Sequence, residues 1–434
     1  MRSPRSLVCS LWLSTLACGA PAPALDAGHD APDGASVDAP VLDGSADAAA
    51  PDARADDAAL DDVGADASGD DVDGDGFDAS TETACGTDPS DGASHPDPAV
   101  LRGTGTAADP YRLCFGEHVA LFALRPEVAT ANALVGRDLD LSGIDPRPIG
   151  QPSDAAAGVP YAARFDGGGH TLAHYVASQA SGLFHGIAPT GEVVDLHLTD
   201  AASATGSILT ASSEGLVRGV TVQGTVTSGS HVSLLVGDNL GTVSDCHSSG
   251  LLSGTAHVGG VVGANRGTVR RCSSTVSVSG VNRVGGLVGS QMAGAIEESW
   301  ASGSVVGTGL NHGGLVGTAF AGTITDSFAL GDVDGVQGVG GLVGQSEAPV
   351  VIVRVYARGH ARGTMSAAVV GISNATTPAT ACYFDSSAAS SDAACTALTP
   401  AEMTMQGRFV SFDFTTPIWV MSPAIRASPS LHWE

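Results

Sequence analysis

The sequence predicts an all-β protein built around a parallel β-helix of about eight rungs, with capping segments and a disordered acidic linker ahead of it. Three observations lead there. First, one short phrase keeps returning: Leu-Leu-Val-Gly at 234–237, Gly-Val-Val-Gly at 260–263, Gly-Leu-Val-Gly at 286–289, 314–317 and 341–344, and Ala-Val-Val-Gly at 368–371. Its closing glycines are 26, 26, 28, 27 and 27 residues apart, a near-fixed period that marks a stacked repeat. Second, glycine reaches 58 of 434 residues while 5% are aromatic and 15% charged, which suits closely turning β structure. Third, the acid is concentrated: 18 acidic residues and one base, Arg54, lie between Asp26 and Glu82, against a net charge of −27 for the chain. All 19 basic residues are arginine. Such a balance argues against nucleic acid or anionic lipid as a partner.

The chain opens on an export signal. Arg2 and Arg5 precede an apolar run from Leu7 to Ala17, too short to span a bilayer. The run ends Thr15-Leu16-Ala17-Cys18-Gly19, so residues 1–17 are read as a signal peptide and Cys18 as the lipidation site. Leu16 lies one place nearer the cysteine than the usual order, and cleavage after Ala24 is the alternative. Membrane attachment is then expected only through that lipid, at the outer membrane or cell surface, or absent in a secreted product. Residues 18–84 read as a disordered Asp/Ala-rich tether, because such a tract cannot bury enough apolar surface to offset its ordering entropy.

Near the end of the tether, Asp71-Val-Asp73-Gly-Asp75-Gly76-Phe77, followed by Glu82, fits the calcium-loop pattern D-x-D-x-D-G-x5-E. Asp71, Asp73, Asp75, the Phe77 carbonyl and Glu82 are the candidate ligands for Ca²⁺, the one cofactor the sequence suggests. No amphipathic helical pattern flanks the loop, and an acidic Gly-rich tract generates this pattern readily by chance.

Removing Cys9 and Cys18 leaves six cysteines, an even number that suggests disulfides in an exported chain. Cys246 and Cys272 hold one place in successive repeats, and strands about 4.8 Å apart fall within disulfide reach. Cys382 and Cys395 would close a short loop, leaving Cys85 for Cys114. No histidine pair stands at zinc spacing beside any of them.

From 85 to 180 short strand signals separated by turn residues read as an N-terminal cap, with a helix over Glu117–Leu124 ended before Pro126. The repeats proper occupy 181–380. Each carries the Leu-Val-Gly phrase, then Gly-Thr-Val or Gly-Thr-Ile, a small residue or cysteine, and Gly-x-Val. The phrase glycines are expected at corners, where positive φ is needed. Asn239, Asn265 and Gln291 match in register and predict an amide ladder. A cap over 381–434 starts with the capping box Thr399-Pro-Ala-Glu402 and is expected to plug the last rung with Phe409, Phe412, Phe414, Trp419, Leu431 and Trp433.

Gly-Gly-Leu-Val-Gly, then Gly-Thr-Ile-x-Asp-Ser, then Gly-x-Val resembles the GLUG-motif repeats of bacterial surface and secreted proteins. The resemblance covers about 101–434 and implies an adhesin-like exterior β-helix, with no catalytic residue carried over. The chain departs from it at Ala211 and at 347–353, where distorted rungs are expected.

Parallel β-helices also carry polysaccharide lyases and hydrolases, which need placed carboxylates. Asp245, Glu298 and Asp326 share one repeat position with Arg271, and are read as a solvated charged stripe. Arg354, Arg358 and Arg362 are read as a modest basic patch. With no hydrolase, zinc-protease or phosphate-loop motif present, the reading is a non-enzymatic binding or scaffold module for a surface glycan or protein. A carbohydrate-active enzyme and a passive envelope spacer are the alternatives.

Overall fold

The computed structural model describes residues 71–434 apart from 152–157, 348–349, 375–378, 389–390 and 422–427. The signal, Cys18 and most of the tether lie outside the described residues. Parallel strands coil into a ladder of about eight repeat turns, the β-helix expected from the period.

Each turn has three faces. On the first, Val193, Val217, Val243, Val269, Ile296, Ile324 and Ile352 stand directly opposite one another from turn to turn. All seven are buried, so the Gly-Thr-Val/Ile part of the repeat supplies one continuous aliphatic column. On the third face, Val236, Val262, Val288, Val316, Val343 and Val370 form a second column from the Leu-Val-Gly phrase. The second face lies between, through strands such as His247–Gly259 and Ser277–Gly285. One rung alone could bury neither column, which is why the fold exists only as a stack.

The corners are not made by the phrase glycines. Asp245, Arg271, Glu298, Asp326 and Arg354 take φ of 55°, 48°, 46°, 48° and 54°, and turn the chain from the first face to the second. His231, His257, Arg283 and Asn311 take φ of 56°, 53°, 56° and 67° at the next corner. Gly263 instead sits where two walls approach. A Cβ there would lie 2.7 Å from both the Gly237 carbonyl oxygen and the His231 carbonyl carbon. The glycine is required for close backbone approach rather than for a left-handed turn.

The column after the first corner overturns the expected Cys246–Cys272 bridge: both cysteines are free and buried. Each Sγ meets the carbonyl two residues back, at 3.1 Å to Ser244 and 3.3 Å to Arg270. Ser299 and Ser327 make the same bond with Oγ, at 2.6 and 2.7 Å, in the following rungs. The cysteines thus stand in for a serine that pins the corner, and each thiol also reaches a carbonyl of the preceding rung, Val217 at 3.7 Å and Val243 at 3.5 Å. Cys85–Cys114 and Cys382–Cys395 are bonded as expected.

Asn239 donates to Asn265 at 2.7 Å and Asn265 to Gln291 at 2.8 Å, so the amide ladder is present and buried. Of the two departing rungs, the described residues are regular, while positions 348–349 lie outside the described residues. Thr210 and Ser212 pair with Val236 and Asp238, and Val350–Ala357 aligns in unbroken register with Gly322–Ala329.

The ends differ more from expectation. The first-face ladder begins at Tyr111–Leu113 and runs through Ala133–Val135 and Arg164–Asp166 into the repeats, so much of 85–180 is early turns of the same coil. One helix, α1 (Ala79–Cys85), closes the supposed tether, and a second, α2 (Gly116–Ala123), matches the helix expected there. At the other end the capping box forms, with Thr399 N–H donating to Glu402 and Glu402 N–H to the Thr399 hydroxyl, but it opens short 3₁₀ turns rather than an α-helix.

The C-terminal aromatics do not plug the last rung. Trp300, Phe328, Tyr356 and Tyr383 occupy one register position of successive rungs and stack outward on the flank. Phe409, Phe412, Trp419 and Leu431 bury against this aromatic column, with Phe414 and Trp433 at its margin, as a second core. Trp419 Nε1 donates to Asp326 at 2.9 Å, the Tyr356 hydroxyl to the Pro429 carbonyl, and Trp433 Nε1 to the Glu298 carbonyl at 2.9 Å. The described residues of 399–434 therefore form a strap back along the side of the coil.

Candidate calcium centre and exposed strip

The acidic loop is folded around its own carboxylates. Gly74 and Gly76, at φ of 78° and 97°, let the chain double back so that both their N–H groups donate to Asp71. Asp73 Oδ1 accepts from Asp75 N–H and Asp75 Oδ1 from Phe77 N–H. Those bonds use one oxygen of each side chain. The remaining Oδ2 atoms of Asp73 and Asp75 are buried with no hydrogen-bond partner. One oxygen from each of Asp71, Asp73 and Asp75 lies within 4.8 Å of the others.

Asp78 then caps α1, accepting from Thr81 N–H at 2.8 Å, and Glu82 lies in the first turn of that helix. Glu82 is fully buried, and neither carboxylate oxygen has a partner; the Thr87 hydroxyl bonds its main-chain carbonyl instead. Burial, and after it the charges of Asp75 and Asp73, push the Glu82 carboxyl above its ordinary range. The unit is fastened to the coil by the Cys85–Cys114 disulfide, by Arg112 donating to the Ala84 carbonyl at 3.2 Å, and by Phe77 edge-on to Phe115. Residues 71–84, read as tether, are thus folded, and a helix does flank the loop.

A second feature lies on the outer side of the second face. Thr225, Leu251, Ser277 and Thr227, Ser253, Ser279, Val306 line a shallow concavity of about 450 Å³. In register, Thr225 stands opposite Leu251 and Leu251 opposite Ser277, while Val226, Leu252, Val278 and Val305 between them point into the core. Leu251 and Val306 are exposed. The lining holds hydroxyls and aliphatics, with neither carboxylate nor aromatic.

The charged positions singled out in the sequence are paired. Arg271 grips Asp245 with two bonds of 2.6 and 2.9 Å, and although burial opposes it, that guanidinium holds the Asp245 carboxyl below its ordinary range. Arg270 meets Glu298 at 2.7 Å, and Arg354 clasps Asp326, which is buried under Trp419. The stripe is a cross-rung ion-pair ladder, partly covered by the strap, rather than a solvated face. Arg358 bonds Asp385 and Arg362 bonds Asp332 and Asp334, so no free basic patch results.

The second corner carries a group that motif reading passed over. His231 bonds Asp238 at 3.0 Å and lies 4.2 Å, ring to ring, from His257, whose other partners are Ser290 at 2.8 Å and Arg283 at 3.0 Å. Burial first, then the His231 and Arg283 charges, bring the His257 pKa down to about 4. Aligning the repeats on their second corner, where His231, His257 and Arg283 follow at one period, would have found it.

No protein-family profile matches the chain, and no curated protein matches it. Among solved structures, a Bacteroides ovatus protein provisionally described as an immunoglobulin A1 protease is similar at 17% identity and a TM-score of 0.46, over 76% of this chain and 95% of that one. At that score the likeness is loose, and no activity follows from it.

Proposed function

We propose that this is an exported, non-enzymatic β-helix module of the GLUG-motif type, anchored through Cys18, that presents the second-face strip to a surface partner. The observation that carries the reading is the strip itself: a regular, uncharged ladder of Ser, Thr, Leu and Val across several rungs. A lyase or hydrolase would place carboxylates over its substrate, whereas the conspicuous rung carboxylates here are engaged by arginines of neighbouring rungs. The C-terminal aromatics are spent on the strap rather than on a sugar platform. Aliphatics and hydroxyls without aromatics favour a protein segment over a glycan as the occupant.

The test is binding of the purified chain to arrayed glycans and to envelope protein extracts, with Leu251→Asp and Val306→Asp as variants. Both side chains are exposed, so neither change should move the melting temperature, and partner binding should fall at least about ten-fold. Sugar release that disappears on replacing a rung carboxylate would establish the carbohydrate-active alternative. Binding indifferent to both variants would leave the envelope spacer. Fatty-acid labelling lost in Cys18→Ser checks the anchor.

A further inference from the structure

Three carboxylates gathered on a loop are common on protein surfaces and signify little alone. What sets this loop apart is a second, independent feature on the helix that follows it: Glu82, wholly buried, with both carboxylate oxygens unpartnered. Burying an anion unpaired beside other anions is costly, and proteins tolerate it where a cation completes the site. The atoms left over are also the right ones. Asp73 Oδ2, Asp75 Oδ2 and both Glu82 oxygens are buried and unused, while each Oδ1 holds the turn.

We propose that residues 71–82 form a calcium site, with Asp71, Asp73, Asp75, the Phe77 carbonyl and Glu82 as ligands, and that the ion fastens the end of the acidic tether to the first turns of the coil. Hard oxygen donors at positions 1, 3, 5, 7 and 12, with glycine at position 6, suit Ca²⁺ rather than a transition metal. The position gives the site its consequence. Helix α1 is held on the coil by one disulfide, one arginine bond and one ring contact, and carries four uncompensated carboxylates on or beside it. Neutralising them converts a repelling junction into a stiff one.

The experiment uses the full-length chain, stripped of metal with a chelator and titrated with CaCl₂ by calorimetry. Asp73→Asn and Asp75→Asn keep the Oδ1 acceptors that fold the loop and alter only the buried Oδ2 positions, so they separate ligation from folding. One saturable site is expected above the shallow background of the acidic tract, weakened at least about ten-fold in each variant. In parallel, chymotryptic cleavage after Phe77 should slow at least about ten-fold with calcium in the wild type and change little in Glu82→Gln. Absence of a saturable site, or one that survives both asparagine variants, would overturn the proposal, as would cleavage unaffected by calcium.

Discussion

Replacing Trp419 by alanine is expected to release the C-terminal strap while the coil stays folded. Trp419 is fully buried, with ring contacts of 4.5 Å to Phe412 and 6.0 Å to both Phe328 and Tyr356. Truncating such a side chain costs about 3–5 kcal/mol. The indole also donates to Asp326; since Arg354 still holds that carboxylate, losing the bond adds only about 1 kcal/mol. A total of about 4–6 kcal/mol falls on a strap whose attachment is one aromatic cluster and a few hydrogen bonds, whereas each rung is held by ladders on both sides. Opening should therefore be local. Hydrogen exchange read by mass spectrometry would show protection lost over 399–434 and at the outward strands bearing Trp300, Phe328 and Tyr356, with Leu216–Arg218 and Thr221–Val226 unchanged. Trp419→Phe, which keeps most of the ring and loses the donor, should cost about 1–2 kcal/mol. Loss of protection confined to 380–398 would mean that the segment plugs the last rung after all and would refute the strap. So would a destabilisation below about 1 kcal/mol.

Non-reducing peptide mapping should find Cys85–Cys114 and Cys382–Cys395 bonded, and Cys246 and Cys272 reactive only after unfolding; Cys272→Ser should stay within about 1 kcal/mol of wild type because Ser299 and Ser327 already do its work. Gly263→Ala, which drives a Cβ into backbone on two sides, should cost about 1–3 kcal/mol or more by urea denaturation, while Gly407→Ala, with nothing within 4 Å, should move the midpoint little. His312 is buried where neighbouring rungs carry Val284 and Val339, and burial lowers its pKa from 6.5. The unfolded chain then binds a proton below pH 6.5 that the folded chain refuses, so stability falls as pH drops through that value, by about 1.4 kcal/mol per unit for one such group. His312→Val should flatten the slope of urea midpoints between about pH 7 and 5, with His257 and His247, both lowered by burial, still contributing; an unaltered slope would exclude His312 as a source.

The coil was legible because its signal is periodic and local. The inward valines, the Asn239–Asn265–Gln291 ladder and the regular turns all follow from laying one repeat on the next. The Cys246–Cys272 expectation failed for an instructive reason. Spacing placed the cysteines on adjacent strands, but each thiol is engaged by backbone carbonyls beside a left-handed residue, and Asp245 and Arg271 do not advertise positive φ as glycine would. The strap was missed although half its signal was present: Trp300, Phe328, Tyr356 and Tyr383 recur at the repeat period, facing outward where a free coil would carry polar groups. Their partners carry no period, so nothing in the chain joined the two. For the calcium loop the sequence supplied the spacing, while the observation that gives it force, the burial of an unpartnered Glu82, exists only in three dimensions.

The charged and aromatic side chains on the rungs contribute more to register than to cohesion. Partly exposed ion pairs stabilise a fold little, and a coil made only of Gly-Leu-Val-Gly turns would bury its valines equally well with one repeat looped out. The side-chain pairs would not survive that error. Looping out the Arg271 rung would set Asp245 against Glu298 in place of the arginine that grips it. That mismatch leaves two part-buried carboxylates facing each other, a penalty that falls on the wrong pairing alone. Residues that break the repeat therefore divide into two kinds. Those paired across rungs fix which rung follows which, and those that face outward unpaired, such as Leu251 and Val306, are where recognition of another molecule has room to reside.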